Sequence, residues 1–266
     1  MQLTDKIAAF LFRRHLRGAT RFHRIVCRGR RIATASKHGI RLELDPVEYI
    51  DGIVLRCGFY EEEVLDAIAG RLRPQDVFWD VGANLGLHAL TVARQCRQAR
   101  VYAFEPNPTM AALLTAAAAR NGVKVELLPL ALDAQNGSAE FYLHAGNAGR
   151  SGLHNWGDDP QLRHIAVTTA TGDQVVADAR AQFPNVIKID VEGNEERVFL
   201  GMGKLLADRR LHTVVFEDAV AETSGPKRIL REAGFTIQPL VRREATHHNL
   251  DNFVAMRSPA RTEGTV

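Results

Sequence analysis

An α/β fold with a mostly parallel sheet is predicted by three observations. Short apolar runs alternate with helically patterned segments between residues 77 and 233, the arrangement that builds parallel strands joined by right-handed crossovers. The first run, Val77–Val81, breaks into a glycine-bearing turn and then a helical pattern, and the next run ends on Glu105. Two last runs, 235–241 and 252–257, read as a hairpin that adds an antiparallel strand.

The elements follow in order. Residues 3–17 form a basic amphipathic helix, with Ile7, Phe10, Leu11 and Phe12 toward one side, and residues 31–57 read as short strands and turns. Tyr60–Leu72 is a helix, because Val64, Leu65, Ile68 and Leu72 keep helical spacing, and Pro74 ends it. The core strands are 77–81, 100–104, 123–132, 186–190 and 213–217. Helices fall at about 85–95, 108–120, 195–207 and 224–233; Pro108 sits in a first turn, Asn121-Gly122 closes that helix and Gly234 caps the last. An excursion of two strand-like runs, Ala139–His144 and Ile165–Thr169, flanks a Gly/Asn/Ser-rich loop. The expected organisation is a basic extension over 1–57, a core domain over 58–257 and a flexible tail over 258–266.

A strand, glycine turn, helix and second strand with a terminal acid make a nucleotide-binding half-fold. Dinucleotide sites use G-x-G-x-x-G, whose middle glycine admits a pyrophosphate. Here those places hold Gly82, Asn84 and Leu87, and the pattern is instead D-x-G-x-x-x-G over Asp80, Gly82 and Gly86. The sequence therefore points to S-adenosylmethionine. In this reading Gly82 lets the methionyl part lie against the turn, Asp80 faces its ammonium, and the amides near Leu85 and Gly86 face its carboxylate. Asn84 caps the helix, and Glu105 accepts from the ribose hydroxyls. Ala83, Pro106 and Ala131 complete the candidate cofactor set.

Charge is unevenly distributed. Residues 1–41 hold eleven Lys and Arg against the single acid Asp5, a net +10, whereas the remainder carries −7. A basic arm on a mildly acidic body suits an anionic membrane surface or an acidic partner through residues 3–31, or a helix docked with its arginines in water. The arm has little aromatic interleaving, which argues against nucleic acid. Cys27, Cys57 and Cys96 have no paired or metal-like spacing, consistent with a reducing compartment. No apolar run reaches the roughly 18 residues of a membrane span. The expected location is cytoplasmic, with peripheral membrane attachment as an alternative.

Seven strands, mostly parallel and ending in a hairpin, match the Rossmann-like sheet of class I methyltransferases. Several blocks resemble the FkbM family of methyltransferases: Asp80–Gly86 (DVGANLG), Phe104–Pro108 (FEPNP), Lys188–Glu195 (KIDVEGNE), Val214–Glu217 (VVFE), the lead-in Gly58–Glu61 and the loop Ser151–Leu153. The resemblance covers about residues 50–257. It implies S-adenosylmethionine-dependent methylation, usually at oxygen, of sugars or secondary metabolites. Asn194 stands where the family pattern has a small apolar or aromatic residue.

Ligands of such sheets lie beyond the strands' carboxyl ends, which places Asp190, Glu192 and Glu217 at the same crevice as Glu105. Methyl transfer to an alcohol needs alignment and a route for the hydroxyl proton. With a strand period of two, Lys188, Asp190 and Glu192 share a face. Either carboxylate serves as base, or the pair with Glu217 holds a Mg²⁺ ion that orients a diol. The alternative is that Glu192 and Glu195 only favour the start of the next helix. His154, in the loop, is another candidate base, and Trp156 beside it is a candidate platform for a sugar ring. His88 reads as packed beside the site, and His247-His248 as a solvated hairpin tip with no third ligand. A nicotinamide dehydrogenase and a binding protein without turnover are the competing readings; the oligomeric state is open.

Overall fold

The computed structural model describes residues 2–16, 18–144, 147–154, 162–241 and 250–257. His247, His248, Trp156 and the tail 258–266 lie outside them. Helices α1 (Leu3–Arg13) and α2 (Ala19–Val26) precede a small hairpin, β1 (Ile32–Ala35) and β2 (Arg41–Leu44), then α3 (Tyr49–Cys57) and α4 (Glu62–Ala69). The core runs β3 (Val77–Val81), α5 (Leu87–Gln95), β4 (Arg100–Phe104), α6 (Pro108–Asn121) and β5 (Glu126–Leu128). An excursion follows: β6 (Ala131–Leu132), β7 (Gly137–Leu143), β8 (Arg163–Ala170) and α7 (Gly172–Ala177). The chain then completes the sheet with β9 (Val186–Ile189), α8 (Glu195–Leu200), α9 (Gly203–Ala207), β10 (Thr213–Ala219), α10 (Gly225–Glu232), β11 (Thr236–Pro239) and β12 (Leu250–Met256).

The main sheet has seven strands in the order β11-β12-β10-β9-β3-β4-β5. All neighbours are parallel except those of β12, which runs antiparallel to β10 and β11. Chain order reverses between β3 and β9, the switch point where open α/β sheets bind ligands. Both strands are buried along their whole length, as central parallel strands must be. Alternation sorts their side chains into two cores. Phe78, Val101 and Val186 pack with α4, α5 and α6 on one face; Trp79, Phe104, Ile187 and Ile189 pack with α8 and α9 on the other.

The sequence pattern and the structure differ at six places. The run 123–132 is two strands: β5 joins the main sheet, whereas β6 pairs with β8 in a separate sheet of order β6-β8-β7. The helix expected over 195–207 breaks after Leu200, because Gly201 passes the Asp133 carbonyl so closely that a Cβ would lie 2.1 Å from it. Tyr49–Cys57 is helical although Ile50, Ile53 and Val54 read as strand formers; their burial in a helical arrangement overrides that propensity. The short α7, capped by the Thr171 side chain accepting from Gln174 N at 3.1 Å, and the helix α2 are not evident from periodicity. Finally, α1 stops at Arg13 and docks through Asp5, Ala8, Ala9 and Phe12, so Ile7 and Phe10 are exposed. The small Ala8 and Ala9 face the core, and the N-terminal segment shares that core with the sheet.

Candidate active site

A cleft opens at the carboxyl ends of β3, β4, β9 and β10, lined by both apolar and acidic side chains. Its floor is the glycine corner after β3. Gly82 N and Ala83 N both donate to Phe104 O, at 3.0 and 3.1 Å, strapping the corner to β4. Asn84 N donates to Glu105 Oε2 at 2.7 Å, Leu85 N to the Asn84 side-chain oxygen at 2.7 Å, and Gly86 N to Ala83 O at 2.8 Å. Five successive amides are thus engaged within the corner.

This wiring changes two expected roles and adds a packing demand at Gly82, which lines the cleft. Asn84 does not cap α5: it adopts a left-handed conformation, its side chain closes on Leu85, and Gly86 is the N-cap. The Leu85 and Gly86 amides, expected to face a carboxylate, donate inside the turn instead. Gly82 is required by packing: at φ +76° a Cβ would lie 1.8 Å from the Asp190 carbonyl oxygen. The corner lies against the end of β9 so tightly that only glycine fits.

Asp80 also differs. It is fully buried beneath the corner and does not line the cleft. Its Oδ2 accepts from Ala89 N at 2.9 Å, in the positive first turn of α5. Its Oδ1 lies 3.4 Å from Lys188 Nζ, which lies 3.3 Å from Asp190 Oδ2. The register explains the triad: Asp80 and Lys188 are direct neighbours on the parallel strands β3 and β9. Burial disfavours the Lys188 ammonium, but Asp190 and Asp80 outweigh it and raise its pKa. The buried lysine is therefore charged and fixes Asp190 at the rim.

Glu105 lines the cleft as expected, with Pro106, Ala83 and Ala131. Its Oε1 accepts from Asn107 N and its Oε2 from Asn84 N, each at 2.7 Å. Burial pushes its carboxyl up to about 7, against the pull of those two amides. Each oxygen keeps a further lone pair for a hydroxyl. Met110, Leu132 and Phe141 supply an apolar wall.

Asp190, Glu192 and Glu217 all line the other end of the cleft. The period of two expected through Glu192 fails, because β9 ends at Ile189 and Glu192 takes φ +55° ahead of Gly193 at φ +93°. Glu192 is pushed up to about 9, first by burial and then by the charges of Asp190, Glu217 and Glu195. Glu195, not Glu192, serves the helix start: its Oε1 accepts from Val191 N at 3.0 Å and Gly193 N at 3.3 Å. Among the described residues no group of three His, Cys, Asp or Glu side chains is placed to hold a metal ion.

His154 is exposed and stands outside the cleft lining, although Ser151, Gly152 and Leu153 belong to it. His88 lines the cleft but is buried edge-on to Phe59, its ring centroid 5.5 Å away, and burial lowers its pKa to about 3. It is a neutral packing group.

Three features escape the sequence pattern. Glu61 lines the cleft, with its Oε1 accepting from Asn252 Nδ2 at 3.0 Å. Asn194 also lines it and donates to Asp133 Oδ1 at 3.3 Å, beside the bidentate Arg197–Asp133 pair at 2.7 and 2.8 Å. Lys188 is the third, and its signal was a lone charge inside the apolar strand Val186–Ile189, which demands a partner.

Comparison with known proteins agrees with this geometry. Residues 80–248 match the family model described as the methyltransferase FkbM domain. The chain is 31% identical over 175 residues to the hexuronic acid methyltransferase AglP of Haloferax volcanii, covering 66% of this chain and 69% of that one. It is 29% identical over 197 residues to the 31-O-demethyl-FK506 methyltransferase FkbM of Streptomyces tacrolimicus, covering 62% and 75% respectively. Among solved structures, precorrin-6y C5,15-methyltransferase from Geobacter metallireducens superposes with a TM-score of 0.46 at 16% identity, over 73% of this chain and 86% of that one. With the corner of β3, the acid ending β4 and the block ending β9 all inside the matched region, this chain belongs to the FkbM family of S-adenosylmethionine-dependent methyltransferases.

Proposed function

We propose that the chain methylates a hydroxyl oxygen of a sugar or a sugar-like secondary metabolite. The observation that carries this reading is the cluster of Asp190, Glu192 and Glu217 in the same cleft as the cofactor corner and Glu105. When bound, S-adenosylmethionine supplies an electrophilic methyl group on a sulfonium. Glu105 holds the ribose hydroxyls, and the apolar wall of Met110, Leu132 and Phe141 excludes water from the adenosyl side. Asp190, anchored by Lys188, accepts from a hydroxyl neighbouring the reacting one and so aligns the acceptor. Glu192 takes the hydroxyl proton, since burial and like charges raise its proton affinity. A nearby cation favours its ionised form, so the base is armed only when the positively charged donor is present. The two relatives, named for a hexuronic acid and for 31-O-demethyl-FK506, support oxygen as the acceptor atom.

The test is transfer of a labelled methyl group to a panel of uronic acids, neutral sugars and polyols, with the product located by mass spectrometry. Methylated oxygen is expected, with turnover reduced about 10²-fold or more in Glu192→Gln and donor affinity retained. Label on nitrogen or carbon, or full turnover in that variant, refutes the reading.

A further inference from the structure

We propose that the outer face of α1 and α2 is a docking surface for an anionic lipid bilayer. Helix α1 is apolar on two opposite sides. One side, Ala8, Ala9 and Phe12, is buried in the core. The other carries Leu3, Ile7 and Phe10, spaced four and three residues apart, so they form one stripe. They are 72%, 39% and 54% exposed. Ile25 and Val26 on α2 are 59% and 44% exposed.

Cations accompany this apolar surface. Arg14 lies on the α1 stripe, 5.9 Å from the Phe10 ring centroid, and Arg21, Arg24 and Arg28 are exposed on and after α2. The single acid of residues 1–41, Asp5, is buried and lies 3.6 Å from Arg30. The first 41 residues thus contribute no exposed carboxylate to this face. A second copy would bring its own Arg14, Arg21, Arg24 and Arg28 against the same four cations, which disfavours self-association through this face. A bilayer with anionic headgroups fits both components: arginines at the phosphates, and Leu3, Ile7 and Phe10 at the acyl boundary. No helix among the described residues is long and apolar enough to cross a membrane, so the contact is peripheral.

The experiment is co-sedimentation of the full chain with vesicles of phosphatidylcholine alone or mixed with phosphatidylglycerol, at low and high salt. Binding to the mixed vesicles is expected, with release by salt and none to the neutral ones. An Ile7→Ser/Phe10→Ser variant and an Arg14→Gln/Arg21→Gln/Arg24→Gln variant should each bind at least about tenfold more weakly. Both should keep their melting temperature and S-adenosylmethionine affinity, which shows them folded. A wild-type chain that stays in the supernatant overturns the proposal. So does a concentration-dependent dimer dispersed by Ile7→Ser/Phe10→Ser, which would make the face a self-interface. Equal binding to soluble polyaspartate, indifferent to Ile7 and Phe10, would instead assign it to an acidic polypeptide.

Discussion

Lys188→Met isolates the element on which the site is mounted. The lysine is 4% exposed and stands between Asp80, fully buried, and Asp190. At 3.4 Å and an effective dielectric of about 20, each ion pair has a gross attraction of about 5 kcal/mol, most of it offset by desolvation. Methionine preserves the stem and removes the charge, which leaves Asp80 as a buried anion beside Asp190. Breaking a buried pair this way costs about 3–5 kcal/mol, or roughly 10 °C in melting temperature for a chain near this size. Adding Asp80→Asn removes that anion and keeps an oxygen for Ala89 N; it should restore about 2 kcal/mol or more. Thermal and denaturant unfolding of the two single variants and the double variant give the coupling directly. If Lys188→Met unfolds like the wild type, or the double variant is simply the sum of the singles, Lys188 does not neutralise this pair.

Three further outcomes follow from the same geometry. Gly82→Ala meets the Asp190 carbonyl at 1.8 Å and a left-handed backbone, so a loss of about 3 kcal/mol or more is expected in urea unfolding; wild-type stability would mean the corner can separate from β9 freely. Glu105→Ala removes the acceptor for Asn84 N and Asn107 N together with the proposed ribose contact, and calorimetry should show S-adenosylmethionine binding at least about tenfold more weakly. Glu192, raised from 4.5 to about 9, has a higher folded than unfolded pKa. It therefore stabilises the ligand-free protein fully below about pH 4.5, and that contribution is lost as pH rises toward 9. Glu192→Gln should accordingly gain in melting temperature relative to wild type with increasing pH; a difference that is flat or falls with pH contradicts the assignment.

What could be read in the sequence was set by local chemistry. The buried strands Val77–Val81 and Val186–Ile189, the turn after Asp80 and the acid at Glu105 stand out because each is a contiguous pattern of apolar residues, glycine or charge. The hairpin 235–257 is legible for the same reason. Long-range register is not local. Asp80 meets Lys188 only because β3 and β9, more than a hundred residues apart, lie side by side, and that pairing moves Asp80 from the cleft to its foundation. Likewise Gly82 lines the cleft, but the β9 carbonyl that makes glycine obligatory there is invisible in the local sequence. Glu61 and Asn252 arrive from opposite ends of the chain, and nothing near either residue signals the other. The α1 helix was misoriented because Ala8 and Ala9, weakly apolar by themselves, face the core, while the more apolar Ile7 and Phe10 face outward.

The wiring of the corner also decides what class of molecule fits it. A phosphate needs unengaged amides pointing at it, as in a glycine-rich nest. Here the amides of Gly82 through Gly86 are all engaged, by Phe104 O, Glu105, the Asn84 side chain and Ala83 O. The cleft adds five carboxyl groups, from Glu61, Glu105, Asp190, Glu192 and Glu217, against the single ammonium of Lys188 in its lining. A pyrophosphate would bring two more negative charges to that field. S-adenosylmethionine brings a sulfonium and an ammonium against one carboxylate, a net +1, which favours ionisation of Glu105 and Glu192, the two that burial has pushed toward neutrality. The same raised proton affinities that would make the ligand-free cleft costly at high pH thus make it complementary to a cationic methyl donor, and they suit Glu192 to the proposed role of base while that donor is bound.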